Sequence, residues 1–248
     1  MVLVLLGLAA FWAGVQNALS GGGSFITFPA LLLLGMNAQA ANITSTIALF
    51  PGQVTTGLAN RRLVSGAAGL PFAALFALSL VGGAIGAALL LLTPAHLFDR
   101  LVPFLVLFAT AVFIWGSVRR QPNGAARTLP PALAAGAQFL IAVYGGYFGG
   151  GIGLLMLAAL TLAGLAVRPA GATKNVLAAV MNAAAVGIFL FSGQIHWLGA
   201  GIVGVGAMAG GALGAQLLNR VPERALRIGV IGIGIALSVG MFVRAGYF

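Results

Sequence analysis

Two glycine triplets stand in a strongly apolar chain, and each is followed by polar side chains suited to binding a small anion. The triplets occupy residues 21–23 and 149–151. A helix broken at a triplet leaves backbone N–H groups unpaired where the next helix begins, and the helix dipole favours negative charge there. Hydroxyl and amide side chains beside the break add neutral donors. The predicted binding residues are Gly22, Gly23, Asn42, Thr44, Ser45, Gln53, Gly150, Gly151, Thr173, Lys174, Asn175 and Asn182.

Each of these features also has a purely structural interpretation. Consecutive glycines allow close packing of helices, as small residues do throughout this chain. Hydroxyl and amide groups in a span can serve interhelical hydrogen bonds or helix caps. Lys174 is either a loop charge that orients the chain in a membrane or a charge partner for an anionic substrate. The sequence leaves these alternatives open.

Residues that support enzymatic or metal chemistry are scarce. The chain has no cysteine, and its two carboxylates, Asp99 and Glu223, stand beside arginines in predicted loop regions. No carboxylate falls within an apolar run, so the usual proton relay or sodium site is not expected. His96 and His196 have no metal-ligand spacing with either carboxylate. We therefore predict no enzymatic activity, no metal and no cofactor. If transport is proton-coupled, the proton travels on a weakly acidic substrate, or through Lys174 or a histidine.

Composition indicates a polytopic membrane protein in contact with lipid. Of 248 residues, 61% are hydrophobic and 6% are charged, whereas soluble domains carry about 25% charged residues. Runs such as 70–92 and 198–218 exceed the roughly 20 residues that a helix needs to cross a bilayer. The net charge of +10 lies in short connections between apolar runs, so it predicts membrane orientation and not nucleic-acid binding.

The chain repeats itself. The motif at 82–87 recurs at 210–215, at the same offset that relates the two triplets, and Pro94 recurs as Pro222. We predict an all-α membrane protein of two homologous halves, 1–117 and 131–248, joined by a polar cytoplasmic linker at 118–130. Many secondary transporters are built this way and bind substrate near the bilayer midplane, where the halves meet.

The number of crossings depends on whether each triplet is a kink or a turn-back. A kink gives four crossings per half and no charge bias. A turn-back gives five crossings per half, inverted repeats, and a bias of about ten basic residues to two, as the positive-inside rule expects. The sequence favours the inverted interpretation. Runs 24–35 and 151–166 are short for a crossing, since 12 residues span only about 18 Å of a core about 30 Å thick, so we predict tilted, re-entrant or half-helices there.

The ordered set of motifs resembles the TauE/SafE family of anion exporters over nearly the whole length of the chain. The matching segments are 20–35, 41–48, 60–62, 82–87 and 149–153, with Lys174-Asn175 in the second half. The resemblance implies a multi-pass permease of the bacterial inner membrane that moves small anions, often sulfite, sulfonates or other sulfur-containing organic anions. One position departs from the family, whose members often carry asparagine where this chain has Ser45.

These observations together predict a secondary transporter that exports small anions by alternating access about a midplane site between two glycine-broken helices. A channel-like anion facilitator and a non-transporting membrane subunit are the alternatives. The sequence also leaves a homodimer open.

Overall fold

The fold is all-α. The computed structural model describes residues 2–19, 22–59, 61–118, 129–217 and 223–244, and the predicted linker at 118–130 falls largely outside them. Five α-helices in each half account for most of these residues. They are α1 Val2–Leu19, α2 Ser24–Leu33, α3 Ala38–Ala59, α4 Phe72–Leu92, α5 Ala95–Val118, α6 Pro131–Tyr147, α7 Ile152–Leu162, α8 Val167–Phe189, α9 Trp197–Leu217 and α10 Glu223–Arg244. The all-α prediction is confirmed.

The distribution of side chains is that of a membrane protein. Within the described ranges, Phe72–Leu92, Ala95–Val112 and Arg168–Phe189 are each long and apolar enough to cross a bilayer. Large apolar side chains cover the outside, with Leu140 67% exposed and Val205 71% exposed. A soluble protein would not leave so much apolar surface uncovered, whereas lipid satisfies it. The chain is therefore a polytopic membrane protein, as its composition predicts.

Both glycine triplets break a helix. The first separates α1 from α2, and the second separates α6 from α7. Gly22, Gly149 and Gly151 have φ values of +89°, +78° and +74°. This left-handed region suits glycine because a residue with a Cβ is strained there. The triplets therefore end helices and do more than allow close packing.

The second break turns the chain back. Leu129, which directly precedes α6, donates its N–H to the carbonyl of Leu162, the last residue of α7, at 3.1 Å. The end of α7 thus lies beside the beginning of α6. The 11 residues of α7 cover only about 16 Å, so α7 is a half-helix that returns toward the side from which α6 came.

The first break does the same. Helices α1 and α9 run parallel, with Gly7 against Ile202 and Gly14 against Ala207. Gly199, near the beginning of α9, lies against the side chains of Leu31, in the last turn of α2, and Met36, just after that helix. The end of α2 is therefore on the side where α1 begins.

Each half completes its packing against the other. Helix α1 packs along α9, and α4 packs along α6. Gly82 lies against the carbonyl of Phe139, and Gly210 lies against the carbonyl of Phe11, so one contact recurs at the offset that relates the sequence motifs. Because glycine lets two backbones approach closely, the repeated motif forms the same kind of helix seam twice. Helices α3 and α8 pack against each other between the two seams, with α3 also against α9 and α8 also against α4.

Candidate functional site

One cavity is lined by residues from both helix breaks. Its volume, measured as the space open to the centre of a water molecule, is about 60 Å³. By the same measure one water needs only about 10–15 Å³. This is room for a small ligand. Its walls come from the end of α1, both breaks, the later part of α3 and the early part of α8. The lining residues are Asn17, Gly22, Ser24, Gln53, Thr56, Gly149, Gly151, Ile152, Gly153, Lys174, Asn175 and Ala178.

Lys174 lines this cavity and supplies its charge. A Cβ placed on Gly153 would lie 3.7 Å from the Lys174 Nζ, so the ammonium group reaches the first turn of α7. Among the described residues that line the cavity, no other side chain is charged. Arg61, Arg62 and Arg168 are exposed. The structure thus places Lys174 at the cavity, whereas these three arginines lie outside it.

The beginning of α7 adds backbone donors beside Lys174. The N–H groups of Leu154 and Leu155 both donate to the Gly151 carbonyl, at 3.1 and 3.3 Å. The preceding N–H groups, those of Ile152 and Gly153, donate to no backbone carbonyl in the part of the chain that the structure describes. The first N–H groups of a helix point along its axis, where the dipole favours an anion. The cavity therefore combines one cation with neutral donors.

An amide pair joins the two halves at the edge of the cavity. The Asn182 Nδ2 on α8 donates to the Gln53 Oε1 on α3 at 2.6 Å. Asn182 is buried, and its Oδ1 has no hydrogen-bond partner among the described atoms. Gln53 lines the cavity, as does Asn175. Asn182 thus reaches the cavity only through Gln53.

The structure uses two predicted binding residues as internal connections instead. Asn42 donates from its Nδ2 to the carbonyl of Tyr147, the last residue of α6, at 3.0 Å. The hydroxyls of Ser45 and Thr27 lie 2.6 Å apart and share a hydrogen bond. Because these polar groups are buried and paired with protein, neither Asn42 nor Ser45 lines the cavity.

Thr44 and Thr173 serve one purpose in the two halves. The Thr44 hydroxyl accepts the N–H of His196, before α9, at 3.2 Å. The Thr173 hydroxyl accepts the N–H of Ser65, before α4, at 3.1 Å. Each threonine holds the loop that enters a long helix of the other half, α9 for Thr44 and α4 for Thr173, and neither lines the cavity. By these contacts Thr44 corresponds to Thr173, and Ser45 then corresponds to Lys174.

Two of the four predicted glycines lie behind the cavity wall. Gly23 is buried, and its N–H donates to the Asn17 Oδ1 at 3.5 Å. Gly150 is buried against the ring of Phe148. Gly22 and Gly151, by contrast, line the cavity. The structure therefore brings together Gly22, Gln53, Gly151, Lys174 and Asn175 from the predicted set.

Several lining residues are missing from the prediction. Asn17 and Ser24 flank the first break, and Thr56 lies one helical turn after Gln53. Gly149 and Gly153 belong to the second glycine motif. The spacing of Gln53 and Thr56 on one helix face is the signal that would have added Thr56. Proximity to the triplets would have added the others.

Comparison with known proteins assigns the family. The family model described as Sulfite exporter TauE/SafE matches residues 6–241. A probable membrane transporter protein, ORF9, from Sinorhizobium sp is 30% identical over 96% of this chain and 91% of its own length. A probable membrane transporter protein of Haemophilus influenzae is 27% identical over 100% of this chain and 97% of its own length. YfcA of Escherichia coli K12, also a probable membrane transporter protein, is 27% identical over 96% of this chain and 88% of its own length.

No solved structure matches the chain. The family match covers both helix breaks, both helix seams and all of the cavity. The predicted resemblance is confirmed: the chain belongs to the TauE/SafE sulfite exporter family and is a membrane transporter.

Proposed function

We propose that this protein is a secondary transporter that exports small anions across the bacterial inner membrane. The observation that carries the proposal is the cavity itself, where two helix breaks from different halves meet Lys174 and, among the described lining residues, no carboxylate. Broken helices near the interface between repeats form the substrate sites of many secondary transporters. Gly22 and Gly151 open the two breaks, and Gln53 and Asn175 add amide groups.

The chemistry of the lining favours an anion over a cation or a neutral solute. A lysine side chain inside a membrane protein is costly unless it is paired. Among the residues that the structure describes, no carboxylate lines the cavity to pair with Lys174, so a bound anion is the partner that would offset this cost. The unpaired N–H groups of Ile152 and Gly153 lie beside Gly151 and favour the same sign of charge. A cation would meet repulsion from the lysine and from the helix dipole.

The contacts between helices support inverted repeats and alternating access. The beginning of α1 shares one side of the protein with the end of α2 and the beginning of α9. The beginning of α6 shares its side with the end of α7, where Ala68, just before α4, donates to the carbonyl of Ala163 at 3.0 Å. Helix α3 has 22 residues, about 33 Å, and connects these two sides. Alternating access then follows from rocking one half against the other about the cavity.

The family description favours sulfur oxyanions as substrates. The matching family model is described as a sulfite exporter. Sulfite and organic sulfonates present several acceptor oxygens in a small volume, and the cavity supplies an ammonium group, amide groups and backbone N–H groups as donors. The inner-membrane location agrees with the charge bias of the predicted loops.

Flux into proteoliposomes tests the proposal. The purified protein is first screened by thermal unfolding against sulfite, sulfate, thiosulfate, sulfoacetate, taurine and short carboxylates, because a ligand of the native state alone raises the free energy of unfolding. The strongest ligand is then used for uptake. Saturable uptake accelerated by the same anion inside the vesicle supports a carrier. Non-saturable flux indicates a channel-like facilitator, and no binding or flux with any anion indicates a non-transporting subunit.

A further inference from the structure

We propose that the cavity selects anions by charge number and accepts a singly charged oxyanion over a doubly charged one of the same shape. The inference rests on the proposed function, because it concerns what the anion site takes. The site as built neutralises one negative charge, through Lys174, and offers only uncharged donors to any second one. The expected ligands are small monoanions such as bisulfite, alkylsulfonates and short monocarboxylates.

In the part of the chain that the structure describes, the side chains around Lys174 supply no second cation. Helix α8 packs against α3, α4, α6 and α7 and against the short turn Arg61–Leu63. The described residues of α3, α4 and α7 carry no basic or acidic side chain, and α6 carries only the phenols of Tyr144 and Tyr147. Arg61 and Arg62 are exposed in the turn and line no part of the cavity.

The position in the first half that corresponds to Lys174 does not carry a second cation. The contacts of the two threonines match Lys174 with Ser45, whose hydroxyl pairs with that of Thr27. The second residue after each triplet also favours a lysine in the second half alone. In the second half this residue is Gly153, which leaves room for Lys174. In the first half it is Phe25, which is buried with its ring against Gly22 and fills the corresponding space. The site is thus asymmetric, with all of its charge in the second half.

A second negative charge would therefore enter without a counter-charge. Removing a charge from water into a protein interior is costly unless it is paired. Neutral N–H and amide donors offset part of that cost, but a hydrogen bond between neutral groups is only about half as strong as a charge-assisted one. We expect the monoanion to bind at least about tenfold more tightly than its doubly charged analogue, which corresponds to about 1.4 kcal/mol.

Methanesulfonate and sulfate are the probes, because each is a tetrahedral sulfur oxyanion and they differ by one charge at pH 7. Their dissociation constants are measured by calorimetry on the purified full chain at equal ionic strength. The inference predicts at least about tenfold tighter binding of methanesulfonate. Equal or tighter binding of sulfate overturns the inference and leaves the proposed anion transporter standing. Binding of neither anion, nor of any other in the screen, overturns the proposed function and this inference with it.

Adding a cation to the cavity provides the converse test. Gln53→Lys places a second ammonium group on the opposite wall, and we expect the preference to move toward sulfate by at least about tenfold. Gln53→Met removes the bond to Asn182 without adding charge, and Thr55→Lys adds the same charge at an exposed position outside the cavity. Thr55→Lys should keep the wild-type ratio, and Gln53→Met should not move the preference toward sulfate. An unchanged ratio in Gln53→Lys, or an equal change in Thr55→Lys, contradicts the inference.

Discussion

Replacing Gly153 by alanine should weaken anion binding without destabilising the protein. A Cβ at this position would lie 3.7 Å from the Lys174 Nζ and 3.9 Å from its Cδ, which is ordinary van der Waals contact. The substitution therefore introduces no clash, and alanine stabilises a helix by up to about 1 kcal/mol relative to glycine. The new methyl group nevertheless occupies the space through which an anion approaches the ammonium group.

The size of the effect follows from the contact that is lost. A hydrogen bond to a charged group contributes about 1.5–3 kcal/mol, so exclusion of one anion oxygen from Lys174 should weaken binding by about 10- to 100-fold. The assay pairs calorimetric titration with thermal unfolding of the ligand-free protein. Gly171→Ala is the control, because Gly171 also lies in a helix and no neighbouring atom lies within 4 Å of its added Cβ.

Two outcomes would refute this reasoning. Wild-type affinity in Gly153→Ala would show that the anion does not approach Lys174 past Gly153. A fall in the free energy of unfolding as large as the loss in binding would show that the residue supports the fold and not the site. The predicted result is a normal or higher melting temperature together with weakened binding, while Gly171→Ala changes neither property by more than about 1 kcal/mol.

The remaining predictions concern the framework around the cavity. Gly82→Ala should destabilise the protein by about 1–3 kcal/mol relative to Gly136→Ala, because its Cβ would lie 2.7 Å from the Ala142 Cβ, whereas that on Gly136 meets open space; equal melting temperatures would contradict the close seam. Thr173→Val should lower the free energy of unfolding by about 1 kcal/mol more than Thr161→Val, since only Thr173 holds a loop of the other half. Asn182→Leu should cost about 0.6–1.7 kcal/mol and weaken anion binding, because Gln53 loses its partner; unchanged binding would show that Gln53 needs no support.

The sequence predicts the helices well because lipid imposes long apolar runs with few alternatives. Both breaks also follow from sequence, since three consecutive glycines disfavour a continuous helix. The main difference lies in α5, which begins at Ala95 and therefore includes Asp99, a residue predicted to lie in a loop region. His96, Asp99 and Arg100 interrupt the apolar run there, yet all three are exposed, and Asp99 accepts the N–H of Ala38 at 3.3 Å. Helix α5 thus extends beyond the apolar run and includes these polar residues. A hydropathy pattern alone assigns such residues to a loop.

The site is only partly predictable, because residue type does not reveal the partner of a polar group. Thr44 and Thr173 look like substrate ligands, but each binds a loop far away in the sequence. Asn42 likewise donates a hydrogen bond to the carbonyl at the end of α6. Lys174 is ambiguous in sequence because it lies near the beginning of a helix, and only the packing of α7 against α8 brings it to Gly153. Tertiary contacts between halves decide these roles.

The most direct measurement of the central claim is anion uptake by proteoliposomes containing Lys174→Gln, with Arg168→Gln as its matched control. Both residues lie on α8, but Arg168 is exposed and lies outside the cavity. If Lys174 pairs with the transported anion, its neutral variant loses at least about tenfold in uptake at low substrate concentration, Lys174→Arg recovers part of that loss, and Arg168→Gln stays within about twofold of wild type. Equal uptake by the Lys174→Gln and Arg168→Gln variants would contradict the claim that this cavity binds the anion.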